Sequence, residues 1–339
     1  MKNHLLYFDI TQFCNINCDF CMYRDRHSSL KMNINKCASE NIRRLFLDAD
    51  IKRISISGEG EPLTNMETIW DIIELSPGKL NFEIITSGAL PHAKMANFYS
   101  DMDHVTSKKG DLCNIRISAD SFHAQRVPFR AHGFSIKYFS ESVSDCMTLS
   151  FRSIETDKIF TREFLIQEAR KYKLDGIIEP INELEDVFIC NNKQYSIIYK
   201  NIVHPNENQN GHMTLDDYIK VLENKYGKSF TFGAMNHHPT PNGLDVTIKP
   251  DGRILFYGIE IVEVANIYKD NIDMFFLKNF INKNKLISIL YKTPFTEILR
   301  ILRKRIDYHE IIKNANNPYW VLQDLKKYNP NFIKDLMND

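Results

Sequence analysis

Short apolar runs alternate with helix-period segments through the first half of this 339-residue chain. The strand-like runs fall at 5–10, 53–57, 82–86, 114–118, 147–151 and 176–181. Helix-like stretches fall at 35–48, 66–75, 93–99 and 161–172. This rhythm predicts parallel β/α units. Six such units fit an α/β fold of partial (β/α)6, TIM-like barrel type, since a full eight-stranded barrel is typically longer. An open doubly wound sheet shares the same rhythm. Residues 119–146 resist assignment, because Pro128, Gly133 and several serines blur the helix expected there.

The alternation fades after residue 182. The pattern predicts a strand at 194–203 and a helix at 215–226, with Thr214 as N-cap and Gly227 as stop. His237 and His238 stand in a loop marked by Pro239, Pro241 and Gly243. Two strands, 244–249 and 253–257, flank Pro250-Asp251-Gly252, a hairpin signal. From about residue 271 short amphipathic helices are expected. The expected division is a core at 1–182, a barrel-closing segment and hairpin at 183–270, and a helical tail at 271–339. The last two make a C-terminal α+β extension.

The chemistry is concentrated behind the first strand. Cys14, Cys18 and Cys21 stand at spacings of four and three in Phe13-Cys14-Asn15-Ile16-Asn17-Cys18-Asp19-Phe20-Cys21. On a helical turn, or in a closed loop, three thiols at these spacings converge. Three thiolates hold a metal centre and leave one coordination position open, the mark of reactive rather than structural sites. Sulfur-only ligation selects zinc or an iron–sulfur cluster. For zinc, His27 is the local fourth ligand, and the chain would be a zinc-binding interaction protein. A four-iron cluster on three cysteines keeps one iron for a substrate.

Cys-x3-Cys-x2-Cys with aromatic Phe20 before the last cysteine resembles the radical S-adenosylmethionine (SAM) superfamily. The resemblance implies a [4Fe–4S] cluster on Cys14, Cys18 and Cys21, with SAM on the open iron. It implies reductive cleavage of SAM to a 5′-deoxyadenosyl radical that abstracts hydrogen from a substrate. Ser57-Gly58-Glu59-Gly60-Glu61-Pro62, directly after the second strand, resembles the family's Gly-Glu-Pro turn at the SAM amino group. That assigns Gly58, Gly60, Glu61 and Pro62 to the cofactor. Thr86 and Gly88 match a Thr-Asn-Gly-like turn after the third strand, with Ser87 in the Asn place. Ser118 and Asp120 match the ribose position after the fourth. For the SAM carboxylate, Arg126 and Arg130 both qualify and Arg130 is preferred. Phe20 would meet adenine through its backbone.

Cys37, Cys113, Cys146 and Cys190 lie far apart without a CxxC pair, so a second cluster is not expected and buried core thiols are. Residues 246–270 resemble the hairpin of a SPASM/twitch-like extension, in which Tyr257 occupies the expected cysteine position and Ala265 a glycine position. A degenerate extension without clusters is implied. The hairpin favours a peptide or protein substrate. The short length and absent clusters favour a small molecule, such as a sugar, nucleotide or metabolite. A flavodoxin- or ferredoxin-like reductant is the implied electron donor.

The 43 basic and 43 acidic residues cancel, so no strong attraction to nucleic acid follows. The basic run 300–305 is expected to be a solvated helix face. No apolar run reaches membrane-spanning length, and the N-terminal stretch is broken by Asp9, unlike a signal peptide. Seven unpaired-looking cysteines suit a reducing cytoplasm and an oxygen-sensitive centre.

Overall fold

The computed structural model describes residues 3–18, 21, 23–203, 213–226, 230–232, 243–315 and 320–338. Phe20, Gly227, His237 and His238 lie outside them. The fold is mixed α/β. In chain order β1 (His4–Asp9) is followed by α1 (Lys36–Phe46), β2 (Ile51–Ser57), α2 (Met66–Glu74), β3 (Asn81–Thr86), α3 (His92–Lys109) and β4 (Leu112–Ser118). Next come α4 (Ser121–Arg126), α5 (Ala131–Glu141), β5 (Met147–Ile154), α6 (Lys158–Arg170), β6 (Gly176–Asn182), β7 (Glu185–Cys190) and β8 (Lys193–Lys200). The rest comprises α7 (Leu215–Tyr226), β9 (Asp245–Ile248), β10 (Arg253–Phe256), β11 (Ala265–Asn266), α8 (Met274–Lys283), α9 (Lys285–Lys292), α10 (Phe295–Leu302), α11 (Ile306–Lys313), α12 (Val321–Tyr328) and α13 (Phe332–Asn338). Among the described residues no helix is long and apolar enough to cross a membrane.

The chain forms two compact units. One holds residues 7–35 and 53–200, the other 1–6, 36–52 and 201–339. In the first, strand order runs β1-β2-β3-β4-β5-β8-β7-β6. β2 to β5 pair in parallel, with Ile54 opposite Phe82, Ile84 opposite Ile115 and Ile117 opposite Phe151. These apolar side chains share one strand face, and all are buried. α5 crosses α6 closely at Gly133, where a Cβ would sit 2.4 Å from the Glu168 carbonyl oxygen.

The strand expected at 176–181 is not the next parallel strand. β6 pairs antiparallel with β7, and β7 antiparallel with β8. It is β8 that runs parallel to β5. Two turns produce this. The Asn182 side chain accepts the Leu184 N–H at 2.9 Å and closes the first hairpin. Asn191 and Asn192 both take positive φ, 48° and 62°, and close the second as a mirror-image turn. The first boundary of the expected division thus falls at a hairpin turn inside this unit.

The blurred stretch 119–146 resolves into two helices. Pro128 carries no N–H and disfavours helix at Val127, so α4 ends at Arg126 and α5 begins at Ala131. α3 outruns its expected span. Met102 and Thr106 extend the buried stripe of Met95 and Phe98, and Gly110 ends it at φ 68°.

In the second unit the expected hairpin forms, with Ile254 opposite Ile248 and Phe256 opposite Val246. β11 adds antiparallel to β10. Asn41 of α1 donates to the Ile267 carbonyl at 2.7 Å and the Asp270 carbonyl at 2.8 Å, and its side-chain oxygen accepts the Ile272 N–H at 2.9 Å. The buried amide thereby moors the segment after the hairpin. The helices α8 to α13 follow, as the tail's amphipathic pattern predicts.

Candidate functional site

The cysteine loop lies wholly within the first unit. Its base is closed by an antiparallel bridge between Thr11 and Lys31 and by the Gln12 N–H on the Leu30 carbonyl at 2.9 Å. Inside, the Cys21 N–H reaches the Cys18 carbonyl at 3.1 Å and Arg24 N–H the Cys21 carbonyl at 3.2 Å. Asn17 turns the chain at φ 50°, a conformation asparagine tolerates. Cys18 is buried with Ile16 and Val127, and Cys14, Cys21, Ala89 and Phe122 pack on that cluster. The structure therefore gathers the three expected cysteines into one apolar cluster.

Burial raises the Cys21 thiol above its ordinary range, and the neighbouring sulfurs of Cys14 and Cys18 push it the same way. A metal ion binds thiolates, so a cation at these sulfurs would favour the deprotonated form that burial opposes. Among the described residues, the set of three ligand-type atoms all within 4.8 Å of one another is His4, Asp48 and Asp50, in the other unit. The cysteines and His27 do not draw that close. Donors around a tetrahedral zinc stand roughly 3.8 Å apart, given bonds of about 2.3 Å. His27 does approach Cys21, Nε2 to Sγ 3.8 Å, but the same nitrogen stands 3.1 Å from the Glu59 carbonyl oxygen.

The glycine turn after β2 is seated on the start of the cysteine loop. Gly60 donates to the Thr11 carbonyl at 2.8 Å and Glu61 to the Phe13 carbonyl at 2.9 Å. A Cβ on Gly60 would fall 2.1 Å from the Phe13 carbonyl oxygen, so only glycine permits the contact. Glu61 and Pro62 are buried. The Glu61 carboxylate caps the short 3₁₀ turn of Pro62–Asn65 through the Leu63 N–H at 3.0 Å. It also accepts the Thr86 hydroxyl at 2.5 Å, the Ser87 N–H at 2.9 Å and the Ser87 hydroxyl at 2.6 Å. Thr86 in turn receives the Gly88 N–H at 2.9 Å. The ends of β2 and β3 are thus locked together, and Ser87, which the family pattern discounts, is one of the locking residues.

Glu59 is the second residue to which the sequence pattern assigned no role. It is buried, and it accepts Gln12 Nε2 at 2.8 Å and Arg26 at 3.1 Å. Its N–H donates to Asp9 at 2.9 Å. It ties both arms of the cysteine loop to the glycine turn. A charged residue inside a Gly-Glu-Gly-Glu run is the signal that marks it.

The residues after β4 divide. The Ser118 carbonyl accepts Nε2 of buried His132 at 2.8 Å. Asp120 caps α4 through the His123 N–H at 3.0 Å and grips His123 Nδ1 at 2.7 Å. Burial opposes charge on His123, but hydrogen bonds to Asp120 and to the Cys18 sulfur outweigh it and raise its pKa to about 10. An Asp120–His123–Cys18 chain therefore leads from helix cap to cysteine loop. Of the two arginines, Arg126 reaches the loop, donating to the Asn17 carbonyl. Arg130 is exposed at the start of α5, its carbonyl near His92 Nε2 at 3.2 Å.

The remaining cysteines stand apart from the apolar cluster. Cys113 and Cys190 are buried, Cys37 faces the Asp270 carbonyl at 3.8 Å, and Cys146 is half-buried. Burial pushes the Cys113 thiol far up.

No protein-family model and no curated protein sequence matches the chain. Solved structures do. A histidine-tagged anSMEcpe with bound AdoMet aligns at TM-score 0.51 and 12% identity over 99% of both chains. Native anSMEcpe with bound AdoMet and Cp18Cys peptide aligns at TM-score 0.50 and 12% identity over 98% of both. The likeness is one of fold.

Proposed function

We propose that the chain is a radical SAM enzyme whose first unit is a partial (β/α)6 barrel. The observation that carries this reading is the packing of Cys14, Cys18 and Cys21 in one apolar cluster, on a loop whose start is hydrogen-bonded to the Gly58–Pro62 turn. The fold shared with AdoMet-bound anSMEcpe supports it. When bound on these thiolates, a [4Fe–4S] cluster supplies the electron that cleaves SAM to a 5′-deoxyadenosyl radical.

The chain's own residues have separable tasks. Cys14, Cys18 and Cys21 ligate. Glu59, Gln12 and Arg26 hold the ligating loop in place. Gly58 and Gly60 bring backbone close to where SAM would lie, and Glu61 with Thr86 and Ser87 stiffens that backbone. Ser118, Asp120 and Arg126 or Arg130 stand on the ribose and carboxylate side. Ile16, Val127 and Phe122 exclude water. The electron comes from a flavodoxin- or ferredoxin-like donor in a reducing cytoplasm. The substrate reading is a peptide or protein, with a small molecule as the second.

The test is anaerobic reconstitution with iron and sulfide, followed by SAM and a strong reductant. The expected result is a brown protein that releases 5′-deoxyadenosine and methionine, and a Cys14→Ala/Cys18→Ala/Cys21→Ala variant that binds no cluster. Wild-type protein that yields neither product overturns the reading. A colourless protein carrying one zinc would favour the His27-completed zinc site instead.

A further inference from the structure

One face of the first unit's sheet is cationic. On β2 to β5 and β8 the side chains opposite the buried isoleucines include Arg53, Arg116, Arg152 and Lys200, against the single carboxylate of Glu83. The register sets them on a diagonal. Glu83 lies opposite Asn114, two residues before Arg116. Arg116 lies opposite Ser150, two residues before Arg152. Arg152 lies opposite Ile198, two residues before Lys200. Diagonal neighbours on a sheet are within reach of long side chains.

At the lower end of the diagonal two arginines share one carboxylate. Glu83 takes Arg116 at 3.0 Å, the Ser55 hydroxyl at 3.1 Å and Arg53 at 3.6 Å. Arg152 reaches Glu83 only through its field, behind the two nearer arginines. Among the described residues neither Arg152 nor Lys200 is in an ion pair, and both are half-buried. Removal from water, and then the charges of Arg152 and Arg116, pull the Lys200 ammonium down to about 8, while the sulfur of Cys21 counters them. Two neighbouring cations half out of water are costly unless an anion completes them. A guanidinium fork beside a point ammonium suits a carboxylate or phosphate.

We propose that Arg152 and Lys200 form the binding site for an anionic group of the substrate, a phosphate or a carboxylate, held at the C-terminal ends of β5 and β8. The inference rests on the enzymatic reading above for the word substrate. It places an anion at the strand ends, separate from SAM.

The experiment titrates inorganic phosphate, and separately succinate, into reconstituted protein saturated with SAM, and measures SAM affinity in parallel. Wild-type protein should bind one anion per chain, and the stronger of the two names the group. Arg152→Gln and Lys200→Gln should each weaken that binding at least tenfold with SAM affinity unchanged, and Lys200→Arg should retain it. Wild-type protein that binds neither anion, or glutamine variants that bind as well as wild type, overturn the proposal. A matching fall in SAM affinity also overturns it, because the pair would then serve the SAM carboxylate. Protein that forms no cluster but loses anion binding in the variants removes the SAM chemistry and leaves the anion site standing.

Discussion

The Glu61 carboxylate receives both the hydroxyl and the amide of Ser87, at 2.6 and 2.9 Å. Two turns distant in sequence are thereby joined by one buried acidic group. The same carboxylate also holds Thr86 and Leu63. Its role is to keep the glycine turn rigid more than to extend into a pocket. Glu61→Ala would strand several buried donors, at about 3 kcal/mol by the usual cost of unsatisfied groups. The expected outcome is a lower melting temperature and weaker SAM binding, with iron content per chain preserved. Unchanged melting would contradict the locking role.

His123 connects Asp120 to the Cys18 sulfur. Hydrogen bonds to cluster sulfurs raise a cluster's reduction potential. His123→Leu should retain the cluster but move its midpoint potential downward, read by redox titration with electron paramagnetic resonance. Asp120→Asn, which keeps a helix cap, should move it less. A midpoint that stays put in His123→Leu rejects the connection.

His132 is buried between Phe151 and Phe164, and its desolvation lowers its pKa from 6.5 to about 4. The unfolded chain therefore takes up this proton first as pH falls. Stability from His132 is intact above pH ~6.5 and drains away toward pH 4, by about 3 kcal/mol in all. Thermal melts across that range should fall more steeply for wild type than for His132→Gln. Parallel curves would show that the imidazole charges without penalty.

Cys113 and Cys190 are buried, and their thiols are raised by burial. Both should resist alkylation in the folded protein and react on unfolding, followed by mass spectrometry. Cys190→Ala should leave iron per chain unaltered. A drop in iron would mean a second cluster.

Several features were readable along the chain because they are local. The Cys14, Cys18 and Cys21 spacing and the Gly58–Pro62 turn need only neighbouring residues to declare themselves. The parallel strands through β5 follow from short apolar runs bounded by turns, and the hairpin from Pro250-Asp251-Gly252. Other features depend on which strand lies beside which. The strand expected at 176–181 became a hairpin arm because Asn182 and the Asn191-Asn192 turn reversed the chain twice. Glu59 and Ser87 look like solvated turn residues until partners 47 and 26 positions away close over them. Arg152 and Lys200 are unremarkable apart, and only the β5–β8 register sets their charges on one diagonal. Bonding patterns within a few residues are written in the order of the chain. The energy of a buried charge depends on neighbours that folding alone supplies.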